Sequence, residues 1–241
     1  MERKLQSKKL DYKKEFPDLY LPKKKPMLID VPEMVFIQVE GSGNPNTSAA
    51  YKDALAVLYG LSFGIKMNLK FGKVPEELLG GADIEKSAAF LEGNYVIPPL
   101  EGLWWDKDTA FDGKNLVDKD RLCWISMIRQ PDEVTEELFV WAKKSLQEKK
   151  PELDVSDAKL VRYEEGMCAQ LLHVGPYDEE PASIELLEAF IADAGFEEDF
   201  RMGSPKPSVG RYHHEIYLGD PRRTAPERLK TVIRHPVRKM K

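Results

Sequence analysis

A chain of 241 residues is long enough for one large domain or two small ones, and it buries a full core without disulfide or metal staples. Hydrophobic residues at 42% and charged residues at 32% are a globular mix that excludes a disordered chain, and a net charge of −5 opposes general binding to nucleic-acid phosphates. No apolar run reaches the roughly 18 residues of a membrane span and the start has no charged-then-apolar leader, so a cytoplasmic chain without a membrane partner is expected.

Residues 1–25 are basic and polar and run into YLPKKKP at 20–26. Pro22 and Pro26 favour an extended strap, an N-terminal arm rather than a nucleic-acid tail. Met34–Val39 is rich in β-branched and aromatic residues and reads as a strand, closed by the Gly41–Asn46 loop. Thr47 or Ser48 caps the helix that follows, whose Tyr51, Leu55, Leu58, Ile65 and Leu69 form one apolar stripe. Weak helical character follows around 75–90. Tyr95–Trp105 reads as an edge or bulged strand because Pro98 and Pro99 interrupt it. Arg121–Ile128 is a second strand, and Asp112-Gly113 between the two is a hairpin signal. Thr135 opens a helix with Leu138, Trp141 and Leu146 on its apolar side. Cys123 and Cys168 lie in apolar strand-like runs and read as buried thiols in a reducing compartment.

After Pro151 the order repeats. Val161–Val174 reads as one or two strands and ends at Gly175-Pro176-Tyr177. A helix runs from about Pro181 to Ala194, stopped by Gly195. A polar link at 203–208 leads to a strand over Arg211–Leu218, and Thr224, Glu227 and Leu229 read as a short helix start. Each round runs strand, glycine loop, helix, strand, strand. The expected fold is α+β: a tandem strand–helix–strand–strand duplication forming an antiparallel sheet, with helices on one face and a central ligand groove on the other. The divisions are an arm at 1–25, a first repeat half at 26–150 and a second at 151–241, together one pseudo-two-fold domain.

Four segments carry a family resemblance: Val39–Asn46 (VEGSGNPN), Pro98–Trp105 (PPLEGLWW), Leu172–Tyr177 (LHVGPY) and His214–Pro221 (HEIYLGDP), with basic residues trailing to Arg234. On these the chain resembles the GyrI-like small-molecule-binding proteins, stand-alone relatives of the effector-binding domains of multidrug-sensing transcription regulators. The resemblance implies the tandem duplication, termed SHS2, and a central groove in which Glu215 sits among aromatic rings. It also implies lipophilic, often cationic ligands. Hydrolysis of cyclopropane-bearing reactive natural products, a detoxifying activity, is the alternative. A protein-interaction module acting on DNA gyrase is a second.

Alternation along a strand puts His213, Glu215 and Tyr217 on one face, polar and aromatic, and Tyr212, His214, Ile216 and Leu218 on the other, mostly apolar. The first face is expected to meet the ligand and the second the helices. A buried carboxylate among rings can pair with a cation or act as a general base, with Tyr217 holding the substrate in an enzyme. Trp104 and Trp105 are adjacent, so only one of them lines a given face. Tyr95, Tyr59 and Glu101 complete the candidate ligand-binding residues, and Tyr51 and Tyr177 border the groove. His213 and His214 point apart and cannot share a metal. No phosphate loop, dinucleotide fingerprint or nucleophile elbow occurs, so neither metal nor cofactor is expected.

Overall fold

The computed structural model describes residues 7–79, 87–108, 111–114, 118–201 and 210–241. Its strands are β1 (Met27–Val31), β2 (Met34–Ser42), β3 (Leu100–Asp106), β4 (Leu122–Arg129), β5 (Lys159–Tyr163), β6 (Gly166–Val174), β7 (Phe196–Glu198), β8 (His213–Tyr217) and β9 (Lys230–Lys239). They form one curled antiparallel sheet in the order β1-β6-β9-β8-β3-β4-β2-β5, with β7 paired to the end of β9. The helices are α1 (Tyr12–Glu15), α2 (Pro17–Tyr20), α3 (Ala49–Lys70), α4 (Glu76–Leu79), α5 (Ala88–Leu91), α6 (Glu136–Lys149) and α7 (Glu180–Asp193). The fold is α+β. No helix among the described residues is long and apolar enough to cross a membrane.

The strand order is symmetric about the β8–β3 pair. In each half a strand, a long helix and two further strands follow one another: β2-α3-β3-β4, then β6-α7-β8-β9. The halves also exchange edges. β1 precedes β2 in sequence but pairs with β6, and β5 precedes β6 but pairs with β2. The pairing of β3 with β8, Gly102 opposite Glu215 and Trp104 opposite His213, forms the seam between them.

Local chemistry sets the helices. The Ser48 hydroxyl accepts from the Tyr51 N–H at 3.3 Å and the Thr135 hydroxyl from the Leu138 N–H at 3.3 Å, each satisfying a donor that the first helical turn leaves free. Leu58, Leu61 and Ile65 of α3 are wholly buried against β2 and β4, each side chain contributing on the order of 1.5–3 kcal/mol. Ile184, Leu187 and Ile191 of α7 bury themselves on Leu171 and Ile233.

Several expectations need correction. β3 is central, not an edge, because it begins after Pro98 and Pro99, which lack the N–H a ladder requires. Tyr95 makes only an isolated bridge to Leu10. The Asp112-Gly113 turn lies within a long connection rather than a tight hairpin, since β3 ends at Asp106 and β4 starts at Leu122. The arm is partly helical and leads into β1, and the C-terminal segment is a short 3-10 turn at Pro226–Arg228 followed by the ten-residue β9. The polar link at 203–208 lies outside the described residues.

The two faces of β8 separate as alternation requires, but their covers are exchanged. Helices α3 and α7 stand on the same face as His213, Glu215 and Tyr217. The opposite face, with Tyr212 and Ile216, is sealed by the N-terminal arm through Tyr12, Leu19 and Tyr20. Each half supplies its own helix to the same side of the curled sheet, so the helices share the face of His213, Glu215 and Tyr217.

Candidate functional site

The seam carries a row of hydrogen-bonded side chains. Trp104 Nε1–H donates to the Tyr217 hydroxyl at 3.0 Å, and Tyr217 O–H donates to Glu215 Oε2 at 2.7 Å. Glu215 Oε1 meets His213 Nε2 at 2.9 Å. His213 Nδ1 lies 2.8 Å from His235 Nε2, and His235 Nδ1 lies 2.7 Å from Glu198 Oε1. The Glu215 side chain is 14% exposed, so its charge sits close to the interior.

Aromatic rings surround that charge. Tyr51, on the first turn of α3, packs on Trp104 at 5.9 Å and on Trp124 at 5.0 Å between centroids. Tyr177 closes edge-on against Tyr217 at 5.8 Å. Trp104 reaches the seam because Gly102 leaves room for it: a Cβ on Gly102 would lie 2.6 Å from Trp104 Nε1. Gly102→Ala is therefore expected to displace the indole from Tyr217 and to cost about 1–3 kcal/mol. Thermal melting and tryptophan fluorescence check it, and an unchanged emission spectrum would contradict it.

Electrostatics separate the two acids of the site. Burial alone would push the Glu215 carboxyl up, but the His213 and Tyr217 hydrogen bonds outweigh it and hold the group below its ordinary value. Glu180, buried at the start of α7, is driven well above its ordinary value, first by burial and then by the negative charge of Glu215. Burial and Glu215 also raise Tyr217. Tyr51 is pushed up to about 12 by burial, opposed by the neighbouring Ser126 hydroxyl.

Four buried polar atoms on this face have no hydrogen-bond partner among the described residues: Trp124 Nε1, Ser126 Oγ, Glu180 Oε1 and Thr231 Oγ1. The Tyr51–Ser126 and Glu180–Thr231 approaches shift the titrations of Tyr51 and Glu180 without closing a hydrogen bond of good geometry. Trp124 shares its register with Trp104 and His213, Ser126 with Gly102 and Glu215, and Thr231 lies opposite Tyr217. Buried polar atoms are ordinarily paired, so these four leave unused hydrogen-bonding capacity on the face that carries Glu215. Open depressions also lie elsewhere. One of about 470 Å³ lies between α4 and α6, lined by Pro75, Leu78, Val140 and Trp141, and one of about 590 Å³ lies beside α7, lined by Lys24, His173, Asp178, Glu179 and Ser183.

Of the residues singled out from sequence, Glu215, Tyr217, His213 and Trp104 come together, joined by Tyr51 and Tyr177. The others lie apart. Trp105 points to the far face and stacks on Tyr212 at 4.5 Å. Tyr95 is buried in the core beneath α3. Tyr59 is exposed beside Phe63. Glu101 is buried on the far face, where its Oε2 lies 3.1 Å from His214 Nε2 and its Oε1 accepts from the Tyr20 hydroxyl at 3.3 Å. Sequence reasoning missed His235, Glu198 and Glu180. Alternation along β9 would have placed His235 with Ile233 and Thr231, had that strand been recognised. Among the described residues no group of three or more His, Cys, Asp or Glu could hold a metal ion, and both cysteines are free thiols.

A buried carboxylate ringed by aromatics at the junction of two like halves defines a small-molecule-binding domain. The family model for the GyrI-like small molecule binding domain matches residues 24–238, and the chain belongs to that family. It is similar to three solved structures from Listeria innocua. An uncharacterized conserved protein is 41% identical over 95% of this chain and 100% of that one, with a TM-score of 0.79. A hydrolase is 40% identical over 95% and 100%, with a TM-score of 0.76. A hydrolase encoded by lin2189 is 41% identical over 96% and 100%, also with a TM-score of 0.76. No curated protein matches the chain.

Proposed function

We propose that the protein binds lipophilic, cationic small molecules between α3 and α7, with the Glu215 carboxylate as counter-charge. The observation that supports this most is the ionised carboxylate set among Trp104, Tyr51, Tyr177 and Tyr217 with unpaired polar atoms beside it. Ring faces attract cations, and a poorly solvated negative charge strengthens that attraction. Calorimetric titration with lipophilic cations such as tetraphenylphosphonium tests it. Saturable binding is expected, and no binding by any member of a cation panel would contradict it.

A second, less supported reading is hydrolysis of strained electrophiles, and two observations stand behind it. Two of the similar structures are hydrolases, and Glu180 and Glu215 are driven in opposite directions, the pattern of an acid beside a base. On this reading Glu215 takes the proton of the water that attacks the ring carbon. The strained C–C bond breaks, its electron pair passes to a conjugated carbonyl, and the Glu180 carboxyl supplies that oxygen's proton. Mass spectrometry of a cyclopropane-bearing alkylator should then show a water adduct formed over many turnovers. Binding without turnover would leave only the first reading.

A further inference from the structure

Glu215 is also one end of a chain of acids and imidazoles. Glu215, His213, His235 and Glu198 meet in three successive contacts of 2.9, 2.8 and 2.7 Å, and both imidazoles are wholly buried. Each contact needs one hydrogen between its two heavy atoms. Two neutral imidazoles carry one N–H each, and two ionised carboxylates carry none. Neutral rings between ionised carboxylates therefore leave one of the three contacts without a hydrogen, an expensive arrangement in a buried place. The chain closes only with one additional proton. The two histidines do not read as a metal site, because Nδ1 of one faces Nε2 of the other at hydrogen-bond distance with no room for an ion between.

We propose that Glu198–His235–His213–Glu215 is a proton wire that holds one exchangeable proton and sets the charge beside the Glu215 carboxylate from the protein surface. When the proton makes His213 an imidazolium, Nε2–H donates to Glu215, Nδ1–H donates to His235 Nε2, and His235 Nδ1–H donates to Glu198. When the two protons beyond His213 Nε2 each shift one place, both rings are neutral and Glu198 carries the extra proton. All three hydrogen bonds persist, Tyr217 still donates to Oε2, and neither ring turns. Glu198, 26% exposed, is the exchange point with solvent.

The surroundings suit such a path. Phe111 packs edge-on against His213 at 5.6 Å and Phe200 against His235 at 5.1 Å. Gly113, at φ +83°, lets its loop lie over the pair, since a Cβ there would be 2.5 Å from both His213 Cε1 and Ile184 Cδ1. The charged and titratable groups around the wire are Tyr217 and His214 on β8, Tyr51 on α3, Tyr177 before α7, Glu180, Glu185 and Glu188 on α7, and Asp112 and Lys114 on the loop, with Lys114 paired to Glu188. Burial lowers His235 and the Glu198 hydrogen bond opposes it. The role of the wire at the ligand rests on the reading of Glu215 as the group that meets it.

Glu198→Gln tests the wire. The amide can donate to His235 Nδ1, so the variant keeps all three hydrogen bonds with both rings neutral and needs no extra proton. Nitrogen-15 histidine and carbon-13 glutamate NMR on the full chain near neutral pH should count three protons over the four groups in the wild type. In the variant two should remain over the three groups left. Two in the wild type, or no loss in the variant, would overturn the proposal. As a second measurement, tetraphenylphosphonium affinity should rise with pH in the wild type as the extra proton leaves, and stay flat in Glu198→Gln. Equal pH dependence in both proteins also overturns it. A wild-type count of three with no cation binding at any pH would leave the wire standing and remove the ligand reading instead.

Discussion

Replacing Glu215 with Gln is expected to weaken binding of a lipophilic cation by roughly 10- to 150-fold while leaving the fold intact. The glutamine is nearly isosteric, and its carbonyl oxygen can still accept from Tyr217 at the 2.7 Å position. What is lost is the charge. A hydrogen bond or contact to a charged group is worth ~1.5–3 kcal/mol, and each ~1.4 kcal/mol is tenfold in affinity. Calorimetry of tetraphenylphosphonium with both proteins measures the ratio. An unchanged dissociation constant would mean that the carboxylate is not the counter-charge. Under the hydrolase reading the same variant should lose turnover of a cyclopropane-bearing alkylator, because an amide cannot accept the water's proton.

The second large effect is expected behind the site, on the face sealed by the arm. His214 lies between two carboxylates there, Nδ1 at 3.0 Å from Glu165 and Nε2 at 3.1 Å from Glu101. Arg234 donates to Glu165 at 3.1 Å, to Gln170 at 2.9 Å and to the Leu19 carbonyl of the arm at 2.9 Å. With both ring nitrogens donating, His214 is an imidazolium, and two cations face two anions. Arg234→Met is expected to destabilise the protein by about 3–5 kcal/mol, because it leaves a buried carboxylate short of its partner and releases the arm. Urea denaturation measures the loss, and limited proteolysis should cut first near Leu19.

That cluster also sets a pH window. Burial alone would raise the Glu165 carboxyl, but the charges of His214 and Arg234 hold it at about 2 against an ordinary 4.5. Its stabilisation is present above pH 4.5 and lost as pH falls toward 2. Burial alone would lower His214, but Glu165 and Glu101 raise it above 6.5. Its stabilisation is full below pH 6.5 and lost as pH rises through the folded-state value. Urea midpoints should therefore be highest between these limits. In Arg234→Met the acid limb should move to higher pH, and identical acid limbs in the two proteins would contradict this assignment.

Much of the fold is legible where a strand or helix follows a single rule. The Thr135 cap, the α3 stripe and the alternation at 213–217 each need only local chemistry, and each stands in the structure. The alternation brought Glu215, Tyr217 and His213 to one face, and the Trp104–Tyr217 hydrogen bond decides between adjacent tryptophans. β9 was hidden because Lys230–Lys239 does not alternate. It is buried on both faces, its Arg234 and His235 are satisfied only by distant partners, and it carries Pro236, a residue that argues against a central strand. With β9 went His235 and Glu198. Local spacing misplaces Glu101 because its partners, His214, 113 residues away, and Tyr20, 81 away, are invisible to it. The arm's cover of the far face is equally long-range, so local alternation alone puts the helices on the wrong side of β8.

A crystal structure with bound tetraphenylphosphonium tests the central claim most directly. The cation should lie between α3 and α7, against Trp104, Tyr51, Tyr177 and Tyr217, with the Glu215 carboxylate as its nearest charge. A cation seated instead in the apolar depression between α4 and α6, or anywhere out of reach of Glu215, would contradict it.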